Sequence, residues 1–132
     1  MILRKYMSLL GVGSAKIDLI LPKTTYHQGE MISGNFSIKG GTIEQLIKRI
    51  DCDLVMKDEI TGEEKVIDTT SVLTTKLIES DELNQFPFRF KLPDSISYSS
   101  SERSYRFKTR LTFTEGVESK DQDFIQIIPY FS

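Results

Sequence analysis

Apolar side chains recur at every second position through most of this chain, from Ala15 to Ile128, and that period commits it to β-strands. A strand turns successive side chains to opposite faces, so a half-buried strand alternates, whereas a helix repeats its apolar stripe every third or fourth residue. Ala15, Ile17, Leu19 and Leu21 alternate with Lys16, Asp18 and Ile20, and Pro22, which has no amide hydrogen for a ladder, closes the run. Ile32, Gly34, Phe36 and Ile38 form the next series. Phe86, Phe88, Phe90 and Leu92 form the strongest, with Pro87 placing its own amide position at an edge or outside the ladder. Tyr105, Phe107, Thr109, Leu111 and Phe113 alternate against Arg106, Lys108, Arg110 and Thr112, a strand with a basic outer face. A last short strand runs from Phe124 to Ile128 and stops at Pro129.

One segment fits both periods. Ile43, Leu46, Ile47 and Ile50 make a helical stripe, while Ile50, Cys52, Leu54 and Met56 make a strand. A strand throughout, opening with a bulge at about Glu44 to Lys48, reconciles the two patterns. Asp58 to Glu64 is a polar turn around Gly62 that joins antiparallel strands, and Val66 to Leu77, rich in Thr and Val, is a strand with a wet outer face. Lys23 to Glu30 is a loop around Gly29, Gly40-Gly41 and Gly116 mark turns, and Glu79 to Asn84 and Pro93 to Ser101 are surface loops. About seven or eight antiparallel strands without intervening helices predict two sheets packed face to face.

A chain of 132 residues holds one core and buries roughly two-thirds of its unfolded surface. Its net charge of -2, from 17 basic and 19 acidic residues with no like-charged block, argues against nucleic acid as a partner, because phosphate binding needs clustered Lys and Arg. Cys52, the single cysteine, excludes an internal disulfide and fits a reducing, cytoplasmic setting. The start of the chain, MILRKYMSLLGVGSA, is too broken by Arg4, Lys5, Gly11 and Gly13 to be a secretion signal, and no stretch approaches the ~20 apolar residues of a membrane span. Leu3, Met7 and Leu10 recur at helical spacing, so residues 1–13 read as a short helix preceding a single domain over 14–132. That stripe packs onto its own domain or contacts another chain.

Reactive groups are few in this sequence. His27, the one histidine, lies in a loop without further metal ligands around it and reads as a solvated side chain; Cys52, in series with Ile50 and Leu54, reads as a buried structural thiol. Asp58, Glu59, Glu63 and Glu64 lack the ligand order of a calcium loop and read as a solvated hairpin tip. No acidic residue stands in an apolar setting that would raise its pKa. Gly11-Val12-Gly13-Ser14 lacks the later Gly-Lys-Ser/Thr of a phosphate loop and leads into a strand. The serines at 99–101, next to Arg103, are exposed enough to accept phosphate.

Specific residues then point to a family. Ala15-Lys16-Ile17-Asp18, Tyr26-His27-Gln28-Gly29-Glu30 with Gly34, Ile38-Lys39-Gly40-Gly41 and Ile43-Glu44-Gln45 with Ile47 and Ile50 resemble the start of the bacterial sporulation-control proteins. Phe88-Arg89-Phe90-Lys91-Leu92-Pro93 and Asp121-Gln122-Asp123-Phe124-Ile125, ending at Pro129, extend the resemblance from about Met7 to Pro129. It implies an all-β, antiparallel, immunoglobulin-like sandwich of arrestin N-domain type, a cytoplasmic setting and a regulatory role early in sporulation. Gln28 stands where the family often has proline, and family members usually continue into a second domain. The expectation is therefore a non-catalytic protein-interaction module, without metal or cofactor, that docks another protein and forms a homodimer. The alternative is a small-ligand or lipid-binding sandwich whose N-terminal helix touches a membrane surface.

Overall fold

The computed structural model describes residues 13–116 and 118–130. Nine strands are found among them: β1 (Lys16–Ile20), β2 (Thr25–Tyr26), β3 (Met31–Lys39), β4 (Gln45–Asp58), β5 (Glu64–Leu73), β6 (Leu77–Ile78), β7 (Leu83–Lys91), β8 (Arg103–Phe113) and β9 (Glu118–Ile127). They form a three-stranded sheet, β1-β3-β7, and a six-stranded sheet, β2-β9-β8-β4-β5, with β6 also on β4. The inward series of both sheets meet in one core. Phe36, Phe88, Phe90 and Phe107 interlock there, Phe107 meeting Phe88 and Phe90 edge-on at ring-centroid distances of 5.3 and 5.2 Å. Each such side chain contributes about 1.5–3 kcal/mol by leaving water.

The ambiguous segment is a strand. The register of β4 against β8 passes from Ile47 opposite Phe113 to Arg49 opposite Thr112, so Lys48 is an extra residue and returns the following apolar positions to the inner face. A second irregularity falls between Leu54 and Val55 against β5. Pro87 lies on β7, an edge strand, where a missing amide hydrogen leaves no central ladder broken. At the β4–β5 turn Gly62 has φ 79°, and the Asp58 carboxylate accepts the amides of Ile60 and Thr61 at 2.8 and 3.2 Å. Gly40-Gly41 is a point of close approach: a Cβ on Gly41 would collide with the Gly13 carbonyl.

Three expectations need correction. The loop from Lys23 to Glu30 contains β2, which pairs with β9 in parallel, Thr25 with Gln126 and Tyr26 with Ile127, so the sandwich is not wholly antiparallel. The segment from Val66 to Leu77 is two strands: β5 ends at Leu73, and Leu77 begins the short β6 on the far end of β4. The last strand starts at Glu118, not Phe124, because polar residues occupy its first inward positions. The helix expected over residues 1–13, with its stripe Leu3, Met7 and Leu10, lies outside the described residues except for Gly13, which sits in a turn at φ 75°.

Candidate functional site

The two sheets meet along a seam where β1, the border strand of the smaller sheet, runs beside β9. Among the described residues β1 pairs with β3 on one side only, so alternate amides on its other side take acceptors from elsewhere. The larger sheet provides them from side chains. Ala15 N–H donates to Gln45 Oε1 at 2.8 Å, Ile17 N–H to Ser119 Oγ at 3.2 Å, and Leu19 N–H to Asp121 Oδ2 at 2.9 Å. Polar residues therefore stand at inward positions of β4 and β9 because they close a strand border, work that a neighbouring backbone would otherwise do.

Beside these bonds three carboxyl groups converge. One oxygen each from Asp18, Asp121 and Asp123 lies within 4.8 Å of the others. Burial first, then hydrogen bonding to Asp121, then the charges of Asp121 and Asp18 push Asp123 up to about 7. Burial, with Asp121 beside it, raises Asp18 as well. Asp123 Oδ2 is buried without a hydrogen-bond partner. Asp121 Oδ2 is already taken by Leu19 N–H, and three carboxylates fall short of the about six to eight oxygens that Ca²⁺ takes. The group's chemistry is that of carboxyls sharing protons. It overturns the expectation that no acid here has a raised pKa. The available signal was the alternation Ser119, Asp121, Asp123, Ile125, Ile127, which puts the two aspartates in phase with core residues.

The residues weighed from sequence for reactivity lie apart from this seam, except Cys52, whereas Asp18, Gln45, Asp121 and Asp123, noted there for the family resemblance, build it. Cys52 is buried in the core, accepts a hydrogen bond from Thr109 Oγ1 at 3.4 Å, and burial pushes its thiol up to about 12. His27 is not simply solvated: its Nδ1 lies 3.0 Å from the Ile128 carbonyl oxygen, and its ring stacks on Tyr130 at 3.9 Å. With Glu30, which accepts His27 N–H and pairs with Lys23 at 2.6 Å, it pins the β2 loop to the end of β9. Glu64, at the end of the acidic hairpin, pairs with Arg106 and Lys108 on the basic outer face of β8. Ser99 Oγ accepts Ile127 N–H at 2.8 Å, so that hydroxyl is engaged in the loop. The outer face of the larger sheet is knitted in the same way. Burial opposes ionisation of Asp51, yet hydrogen bonds from Ser71 and Arg49 and the charges of Arg49 and Arg110 hold its carboxyl below the usual range.

The sheet borders differ sharply in openness. β1 is closed by side chains, β7 is interrupted by Pro87, and β2 is two residues long. Among the described residues β5 runs for 10 residues with a strand neighbour on one side only, and Val66 and Leu73 on it are exposed.

Comparison with known proteins places these features in context. The family profile described as SpoOM protein (Spo0M) matches residues 3–132. Sporulation-control protein spo0M of Bacillus subtilis (strain 168) is 32% identical over 135 residues, which cover 96% of this chain and 52% of that protein. The crystal structure of Spo0M from Bacillus subtilis superposes with a TM-score of 0.80 at 30% identity, over 90% of this chain and 51% of that one. The chain thus spans about half the length of these relatives. A Pseudomonas fluorescens alkylpurine DNA glycosylase, AlkC, bound to DNA with an abasic site analog, has a TM-score of 0.51 over 91% of this chain and 32% of its own. At 12% identity that likeness concerns the fold alone.

Proposed function

Because this chain belongs to the SpoOM protein (Spo0M) family, we propose that it is a non-catalytic protein-interaction module that regulates sporulation or a related stress response in the cytoplasm. We read its sandwich as immunoglobulin-like and of arrestin type. The observation that carries the docking mode is the open β5 border. An extended segment of the partner adds there as a further strand, its backbone supplying affinity and its alternate side chains specificity. The partner is another protein, and a second copy of this chain satisfies the same border. No helix among the described residues is long and apolar enough to cross a membrane.

The test is genetic and physical together. In the native host, deletion of the gene is complemented with the wild-type chain or with Val66→Lys/Leu73→Lys, at two β5 positions exposed to solvent. The proposal expects wild type to restore the sporulation frequency and the double variant, at equal abundance and melting temperature, to fail. Equal complementation by the variant rejects β5 as the docking border, and a deletion with no sporulation phenotype rejects the regulatory role. Sedimentation at roughly tens of micromolar, the range of weak interfaces, tests the second copy as partner, and a monomer throughout removes it.

A further inference from the structure

We propose that Asp18, Asp121 and Asp123 form a proton-operated clasp on β1: while they share a proton they hold the border of the smaller sheet against β9, and its loss releases that border. The geometry is an interface between sheets joined by side chains. Of the three bonds that tie β1 and the preceding Ala15 to the larger sheet, the one at Leu19 is made by a member of the carboxyl group itself, and the one at Ile17 comes from Ser119, two residues before Asp121 on the same face. Asp18 belongs to β1, while Asp121 and Asp123 belong to β9, so like charges developing in this group push the two strands apart.

Among the described residues no cation is found among the groups that act on Asp123. The charged groups acting on Asp123 are Asp121 on its own strand and Asp18 on β1. From β4 the facing group is the Cys52 thiol, itself held neutral by burial and hydrogen-bonded by Thr109 of β8. The remaining inner-face neighbours on β8 and β9 are the apolar Phe107 and Ile125. A proton thus replaces the positive partner that a buried carboxylate otherwise requires. Since the folded chain holds this proton more tightly than the unfolded one, the clasp's contribution is complete below the ordinary aspartate range. It is lost as pH rises through about 7.

Amide hydrogen exchange at Ile17 and Leu19 reads the clasp directly, each corrected for its intrinsic rate and referenced to Phe107 in the core. In the wild type, protection of the β1 amides relative to Phe107 falls about tenfold between about pH 5.5 and about pH 8, while Asp123→Asn, which cannot gain charge, keeps it constant. A wild-type ratio that does not move with pH overturns the proposal, as does an equal fall in the variant. If Asp123→Asn does not fold, carboxyl-carbon NMR of the wild type decides. A carboxyl step between about pH 6 and 8 that moves with the Leu19 amide shift supports the clasp, and titration of every aspartate below about pH 5 refutes it.

Discussion

Gln45→Met isolates the hydrogen bonding of the seam from its packing. Methionine keeps the length of the side chain and removes the acceptor, so the Ala15 amide, on a residue only 1% exposed, loses its 2.8 Å partner in a place water cannot enter. An orphaned buried amide costs about 1–3 kcal/mol, and part is offset because the variant no longer buries a polar side chain, leaving a net loss of about 1–2 kcal/mol. With a urea dependence of about 2 kcal/mol per molar for a domain of this size, the midpoint drops by about 0.5–1 M at an unchanged slope. Ser119→Ala is the internal control. Its bond to Ile17 is longer, at 3.2 Å, and Ser119 is only half-buried, so water replaces the hydroxyl and the loss stays below about 0.5 kcal/mol. Equilibrium urea unfolding followed by tyrosine fluorescence and far-ultraviolet circular dichroism measures both. An unshifted midpoint for Gln45→Met, or a larger shift for Ser119→Ala, refutes the view that side-chain acceptors hold β1 in place.

Two further outcomes follow from the core. Phe107→Ala removes the ring shared by the edge contacts to Phe88 and Phe90 and is expected to cost about 3–5 kcal/mol, read as the loss in the same unfolding experiment; a cost under about 1 kcal/mol would show the aromatic cluster to be incidental. Cys52 is expected to stay unreactive towards a thiol reagent at about pH 8 until the chain unfolds, since only the thiolate attacks, and its contribution to stability is lost only as pH rises above about 9 toward its folded value of about 12; stoichiometric labelling of the native protein would contradict this.

Sequence periodicity was legible wherever a strand packs apolar residues on one side. β3, β7 and β8 stand where Ile32 to Ile38, Phe86 to Leu92 and Tyr105 to Phe113 alternate, and the mixed pattern after Ile43 resolved into a bulge at Lys48. The reading failed where a different force sets the inward residue. On β9 the inner positions 119 and 121 are polar because they serve β1's backbone, and 123 because it joins the carboxyl group, so hydrophobicity alone delivered only the end of the strand from Phe124. β2 escaped notice for the opposite reason: two residues carry no period, and their pairing is fixed by Tyr26 entering the core and by the anchoring of His27 to Ile128. The acidic seam was missed because the nearness of Asp18 to residues 121 and 123 is a product of topology. No local pattern encodes a meeting between segments about a hundred residues apart.

The unequal sheet borders constrain stoichiometry. A sandwich with two good free edges can polymerise, each newcomer offering a fresh template to the next, whereas here, among the described residues, proline on β7, side chains along β1 and the brevity of β2 and β6 blunt every rim but β5. Any strand that docks on β5 therefore caps the larger sheet. Two copies meeting there annul each other's templates, so association ends at a pair and a runaway fibre has nowhere to start.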